Sequence, residues 1–419
     1  MIARRGSPIR DAGPTEAAPG REEDREGEND GGPVEEGLKR HIIRCYVNQR
    51  LSPMIVARDM AAYGLLDTST SQQWFIDQCF EADFVASSCS KTLGDAQYFK
   101  KLLHKVAKEL SRDGRVMEDA VAEAMGAVDG LAADLEQEVP ESKEWLHKSY
   151  FYGRQDEEMH AVVRIGSHVN MFAGSTVRKE EATRCLPRCT GMLTWIRNTR
   201  QGCFEWDAGY LLCEFILNNV SLFQGRTVVE LGCGTGMATI MLARLQRDGI
   251  LACGPVVCTD GDQETIDNCK MNLLANGMKT DEESSNVFCD TWVWEDGYKG
   301  LDERRRCLLE TGSPVTMIGA DLLYDPEIIP IIVPLIVEFL DNVHPDSRVY
   351  LSTRRRSEAT LDKFLRAVDA VPTLVLEDVS ASFWEASRSD LSFVSFQHVP
   401  SLEDAKRNKS IILHCLWKA

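Results

Sequence analysis

The sequence predicts an α/β fold with a doubly wound, largely parallel sheet in its second half. Three observations predict it. Short, almost wholly apolar runs alternate with helical stretches from about residue 203 onward, a glycine-rich turn follows the first run, and turn residues punctuate the joints. Thr227-Val228-Val229-Glu230-Leu231 reads as the first buried strand, followed by the glycine turn and a helix through Leu245. Val256–Asp260 reads as the second, with a helix over Glu264–Asn276 that Asp262 is placed to cap. Val287–Cys289 is a short third and Val315–Ala320 a fourth. Arg348–Ser352 is a fifth, with a helix from about Ser357. Thr373–Leu376 and Ser410–Leu416 complete seven strands, and the lack of a clear helical pattern between them suggests an antiparallel hairpin at one edge.

The first half differs. Residues 1–37 are rich in Gly, Pro, Glu, Asp and Arg, so this acidic leader is expected to be disordered. Residues 38–148 carry apolar positions at helical spacing, as in Trp74–Phe80 and Tyr98–Val106, and read as a helical N-terminal domain in which Ser71 can cap a helix. Residues 149–202 change period: Tyr150-Phe151-Tyr152, Ala161–Ile165 and Val169–Phe172 look like strands, and 178–202 looks like an inserted loop. Residues 203–419 form the sheet domain.

Composition narrows the function classes. The 419 residues hold 47 basic and 65 acidic side chains, a formal charge of −18 that disfavours free nucleic acid as a partner. The most apolar stretch, Ile328–Leu340, is interrupted by Pro330, Pro334 and Glu338 and is too short to span a bilayer. The start Met1-Ile2-Ala3-Arg4-Arg5 has no apolar region behind it, so neither a secretory signal nor a membrane partner is expected. The 14 cysteines are scattered, mostly in apolar runs, which suits reduced core thiols and a cytoplasmic protein. Cys185 and Cys189 form a lone C-x3-C pair without two further ligands at matched spacing, so no metal is expected.

The candidate chemistry gathers at strand ends. Gly232, Gly234 and Gly236, with Cys233 between the first two, let the backbone turn tightly at a helix start where a ligand can approach. Glu230 stands just before them, and a carboxylate there repels a pyrophosphate but welcomes the cationic amino group of a methionine moiety. Asp260, ending the second strand, can accept both hydroxyls of a ribose. After the third strand, Asp290 can accept an adenine amino group, and one of Trp292 and Trp294, with Trp294 favoured, can stack on the base while the other belongs to the core. Ala320 ends the fourth strand beside the same site. Trp206 either walls this pocket or packs the leading helix. These residues together point to S-adenosyl-L-methionine as cofactor. Asp321 and Tyr324, in Asp321-Leu322-Leu323-Tyr324, can hold an ammonium beside an aromatic ring, and the prolines of an amino-methylating nucleic-acid enzyme are missing there.

Trp206-Asp207-Ala208, the Val229–Gly236 turn and the D-x-x-Y sequence of Asp321–Tyr324 together resemble methyltransferase family 16, the seven-strand protein-lysine methyltransferases with a Rossmann-like sheet. The resemblance covers residues 203–417. Phe204–Gly209, Asp321–Glu327, Val349–Arg354 and the helical segment leading to Ser149-Tyr150-Phe151 are most similar to the members that act on translation elongation factor 2. It implies a monomeric enzyme that transfers methyl groups to a lysine of that protein by in-line displacement, with Asp321 orienting the amine rather than serving as an efficient base. The long leader and the 178–202 insert depart from that pattern. Two alternatives stay open: a non-catalytic docking module on the same fold, and a methyltransferase of another protein or of a small amine. The helical domain is then either a substrate-docking module or a structural cap.

Overall fold

The computed structural model describes residues 42, 52–77, 93–137, 145–152, 159–166, 201–282, 285–389, 393–396, 402 and 409–419. The leader, the Val169–Phe172 strand expected from sequence, the 178–202 insert up to residue 200 and the Cys185/Cys189 pair lie outside the described residues. No helix among the described residues is long and apolar enough to cross a membrane.

The helical part contains α1 (Pro53–Ala62), α2 (Ser69–Ile76), α3 (Leu93–Arg112) and α4 (Asp119–Gln137). Its core is a separate apolar cluster that includes Phe75, Leu102, Leu103, Val106 and Val121. The start of α2 differs from expectation. Thr68 is the N-cap and accepts from the Ser71 backbone N–H, while the Ser71 hydroxyl closes a reciprocal capping box. The extra turn of chain needed for that box moves the helix start ahead of Ser71.

β1 (Trp145–Tyr152) and β2 (Met159–Gly166) pair antiparallel, with Trp145 opposite Gly166. The sheet domain then runs α5 (Asp207–Asn218), β3 (Thr227–Leu231), α6 (Met237–Arg247), β4 (Val256–Asp260), α7 (Gln263–Ala275) and β5 (Val287–Thr291). It continues through α8 (Glu303–Leu309), β6 (Val315–Ala320), α9 (Ile329–Asn342), β7 (Arg348–Arg354), α10 (Glu358–Asp369), β8 (Leu374–Asp378), α11 (Ser380–Ser389) and β9 (Ile411–Lys418).

The seven-stranded sheet has the order β5-β4-β3-β6-β7-β9-β8. All pairs from β5 to β7 are parallel, and β9 runs antiparallel to both β7 and β8. β3 is buried along its whole length, as a central strand covered on both faces must be. Successive residues serve opposite faces: Val228, Cys258 and Ile318 join one core cluster, and Val229, Val257 and Met317 the other. α9 covers the second face with Ile332, Ile336 and Phe339, and Pro330 sits in its first turn, where no backbone donor is lost.

The closing strands are antiparallel partners at the edge but do not form the expected hairpin. α11 separates them, and its buried apolar side chains, Phe383 and Trp384, are adjacent in sequence and leave no helical repeat to read. What positions the site is the crossover at the centre. The chain leaves β3 for β4 and β5, then returns to lay β6 on the other side of β3. Ligands in open α/β sheets bind in the crevice beyond the carboxyl ends of strands at such a reversal. The glycine turn after β3 and Asp321 after β6 both lie there.

Candidate active site

The turn after β3 is held open by its glycines. Gly232, Gly234 and Gly236 have φ of 60°, 56° and 80°. A Cβ on Gly236 would lie 2.3 Å from Cys269 Sγ, and one on Gly232 would lie 2.7 Å from Leu322 Cδ2, so neither backbone nor neighbours admit a side chain. Asn272 on α7 donates to the Thr235 carbonyl at 2.8 Å and fixes the far end of the turn.

A cleft opens above the turn. It is lined by Trp206, Glu230, Gly232, Cys233, Gly234 and Ala320 among the residues expected from sequence, together with Phe204, Glu205, Gly209, Tyr210, Thr235, Met237 and Ala238. Phe204, Glu205, Gly209 and Thr235 fall in segments that carry the sequence resemblance without a site role, while Tyr210 in α5 and Met237 and Ala238 at the start of α6 carried no distinctive signal. Trp206 is the half-buried N-cap residue of α5 and lines the cleft.

Glu230 is buried, and its Oε2 accepts from the Thr239 hydroxyl at 2.5 Å and the Thr239 backbone N–H at 3.1 Å. Burial raises its pKa to about 7, with the two Thr239 hydrogen bonds pulling down and the Asp260 charge pushing up. Asp260 Oδ2 accepts from the Gly234 N–H at 3.1 Å and Oδ1 from the Asp262 N–H at 3.2 Å. Burial raises Asp260 to about 6 against those backbone bonds. Glu230 lines the cleft while Asp260 is not among its lining residues but holds the turn through Gly234, and neither pairs with a cation among the described residues, so a cation entering the cleft would relieve Glu230 first. Asp262 caps α7 as expected, accepting from Thr265 N–H at 2.9 Å.

The β5 end divides its candidates. Trp292 is fully buried in the core and its Nε1 donates to the Gly297 carbonyl at 2.9 Å, the core place that the sequence left for one of the two tryptophans. Its ring has no open face to offer. Trp294 is half-buried, and its ring edge comes within 3.4 Å of a Cβ built on Gly232. Trp294 Nε1 and Asp290 Oδ2 are buried and make no hydrogen bond among the described residues. A donor and an acceptor left unmatched near the turn suit a nitrogenous ring with an amino group, which fits the adenosyl part of S-adenosylmethionine.

The D-x-x-Y sequence is built by its middle. Leu322 and Leu323 are buried in the core, with Leu322 against Gly232 and Gly319, and that anchorage presents the flanking residues. Asp321 takes a left-handed φ of 58°, which few residues besides glycine adopt without cost, and its N–H donates to Ser352 O at 2.7 Å. Its carboxylate pairs with the Arg356 guanidinium at 2.5 Å and accepts the Arg354 N–H at 3.4 Å. Burial raises the Asp321 pKa and Arg356 opposes it. Arg356 also lies over the Trp206 ring, 5.1 Å from its centroid, and Arg354 pairs with Asp207 beside Trp206. Tyr324 is 45% exposed, and burial of its hydroxyl with the acids Asp325, Asp260 and Asp321 nearby raises its pKa. Sequence reading missed Arg354 and Arg356. The signal available was the run Arg354-Arg355-Arg356 at the carboxyl end of a parallel strand, where ligands bind.

Residues 193–371 match a family model described as lysine methyltransferase, so this part of the chain is similar to that family. It is 27% identical over 167 residues to protein-lysine N-methyltransferase EFM3 of Chaetomium thermophilum, covering 40% of this chain and 46% of that protein. It is 27% identical over 134 residues to human protein-lysine N-methyltransferase EEF2KMT, covering 30% of this chain and 37% of that one. It is 25% identical over 161 residues to mouse EEF1A lysine methyltransferase 3, covering 38% and 59%. The chain therefore spans less than two thirds of the length of each of these relatives. The matched segment contains β3 to β7, the glycine turn, Asp321–Tyr324 and Arg356.

Proposed function

We propose that this chain transfers methyl groups from S-adenosylmethionine to a lysine side chain of a protein, and that the protein is elongation factor 2. The observation that carries the reading is the Asp321 carboxylate, buried at the crevice and already holding a cation over the Trp206 ring.

Glu230 and Asp260 would bind the amino group and ribose of the cofactor, Trp294 and Asp290 its adenine, and Trp206 would close the cleft. S-adenosylmethionine supplies an electrophilic methyl group on a sulfonium. Asp321 orients the acceptor amine, and Tyr324 shapes its channel. Free lysine has a pKa near 10.4, and a carboxylate favours its ammonium, so Asp321 is a recognition group rather than a base. Positioning supplies most of the rate enhancement in this reading. A translation factor as substrate, with reduced buried thiols in the fold, fits a cytoplasmic site of action.

The choice of elongation factor 2 rests on the D-x-x-Y context and the preceding helical segment, and on a relative named EEF2KMT. A relative named for elongation factor 1A makes that protein the competing target. The test is incubation of the full chain with isotopically labelled S-adenosylmethionine and each purified, unmethylated factor. Label on a lysine of elongation factor 2 supports the proposal. Label on elongation factor 1A alone would redirect it, and label in RNA or in no macromolecule would end it.

A further inference from the structure

Four cysteines converge beneath the glycine turn, one of them, Cys233, belonging to the turn that lines the cleft. Cys233 comes from the turn, Cys258 from β4, Cys269 from α7 and Cys289 from β5. All are buried. The Sγ atoms of Cys233, Cys258 and Cys269 lie within 4.8 Å of one another, and Cys258 Sγ is 3.3 Å from Cys269 Sγ. Cys289 is the register partner of Cys258 on the neighbouring parallel strand, so its side chain emerges on the same face, and its thiol contacts both Cys258 and Cys269.

Four thiols from four elements in one place have a geometry that apolar packing alone does not require. A tetrahedral zinc site with Zn–S of about 2.3 Å has sulfur–sulfur edges of about 3.8 Å, close to the spacing of the Cys233, Cys258 and Cys269 thiols, and Cys289 on the same face is the candidate fourth ligand. We propose that Cys233, Cys258, Cys269 and Cys289 form a structural site for a thiophilic d10 cation, zinc in the first instance. The surroundings agree with a soft metal, because the donors of the cluster are all sulfur. The hydrogen bonds of Cys258 with Cys233, Cys269 and Cys289, which act in opposing directions, together with burial push its thiol up to about 12, so the free thiol stays protonated. Binding therefore proceeds with proton release: four thiols and one Zn²⁺ give one tetrathiolate complex and four protons to solvent. Spacing in sequence does not reveal the site, since positions 233, 258, 269 and 289 share no short C-x-x-C pair.

The site also bears on the turn. Cys233 belongs to it, and Cys269 Sγ occupies the space where a Gly236 side chain would go. An ion here ties the turn to β4, β5 and α7 in one unit.

The experiment loads the full-length reduced chain with zinc, removes loose metal with a weak chelator, and measures metal per chain and the zinc-edge X-ray absorption spectrum. The expected result is one zinc per chain in a shell of sulfur. Cadmium substitution is expected to give a thiolate-to-cadmium band in the near ultraviolet that Cys258→Ala and Cys269→Ala each abolish and Cys307→Ala, at an exposed cysteine outside the cluster, retains. A shell containing nitrogen or oxygen, no retained zinc, or a band that survives the Cys258→Ala/Cys269→Ala double variant would overturn the proposal. The absorption spectrum is read on the unaltered protein, so it decides the matter even where a cysteine variant fails to fold.

Discussion

The Arg356 guanidinium sits 2.5 Å from Asp321 Oδ2 and 5.1 Å from the centroid of the Trp206 ring. A carboxylate below and an aromatic face beside it are the surroundings an acceptor ammonium would seek. In the proposed reaction Arg356 fills the acceptor position from within the chain, and a substrate lysine would have to displace it.

Displacement has a measurable cost. Arg356 is partly exposed, so the pair contributes about 1 kcal/mol, equivalent to roughly fivefold in affinity. Arg356→Ala is expected to lower KM for the protein substrate about fivefold while cofactor affinity is unchanged. Asp321→Asn leaves the cation without its charge partner and is expected to lower kcat/KM roughly 30-fold or more. Steady-state kinetics on both variants check the pair. An Asp321→Asn enzyme within twofold of the parent would remove Asp321 from the site.

Gly236 carries a separate prediction about the turn. A methyl group there meets Cys269 Sγ at 2.3 Å and keeps a φ of 80°. The left-handed backbone costs about 1–2 kcal/mol and the overpacking about 1–3 kcal/mol. Gly236→Ala is expected to lower unfolding free energy in urea by the sum, and Cys269→Ala in the same chain is expected to recover the packing part alone. Full recovery would show that the backbone angle costs nothing.

Glu230 and Asp260 make cofactor binding depend on pH. Both have folded-state pKa values raised by burial, to about 7 and about 6. A raised carboxyl favours the protonated folded state, so its stabilising contribution is full below the unfolded pKa and is lost as pH rises through the folded one. For Glu230, raised from 4.5 to about 7, the loss is about 3 kcal/mol across that window. A cationic ligand reverses the preference, because it binds the ionised form. Affinity for S-adenosylhomocysteine is expected to rise between pH 5.5 and 8, by at most about tenfold per pH unit per group, while the free protein loses stability over the same range. Calorimetric titration across pH, with Glu230→Gln as reference, checks both signs. An affinity flat over that range would exclude a charged Glu230–ligand contact.

Much of this was legible in residue order. Buried β3 and β4 announced themselves because strands covered on both faces are apolar throughout, and Glu230, Gly232 and Asp321 sit at strand ends where a reversal makes a crevice. The choice between Trp292 and Trp294 was not fully legible, since both are tryptophans two positions apart and only packing puts Trp292 wholly in the core. Arg356 was passed over for a different reason: the Arg354–Arg356 run at a strand end is a weak signal by itself, and its meaning comes from Asp321, 35 residues away in sequence. The thiol cluster was illegible because its members meet through sheet register and a helix, as Cys258 and Cys289 do across β4 and β5.

Thr239 supplies the last prediction, because it is the direct partner of Glu230. Its hydroxyl donates to Oε2 at 2.5 Å and its backbone N–H at 3.1 Å, and both hold Glu230's pKa below where burial alone would put it. Thr239→Val keeps the side-chain volume, the backbone bond and α6 but removes the hydroxyl. A hydrogen bond to a charged group contributes about 1.5–3 kcal/mol, so the carboxylate form becomes harder to reach. S-adenosylhomocysteine is expected to bind Thr239→Val roughly tenfold or more weakly at pH 7, with the difference narrowing as pH rises past the new pKa. Thr239→Ser restores the donor and is expected to bind like the parent. A Thr239→Val deficit that is constant with pH would mean that the hydroxyl positions the helix rather than tuning Glu230.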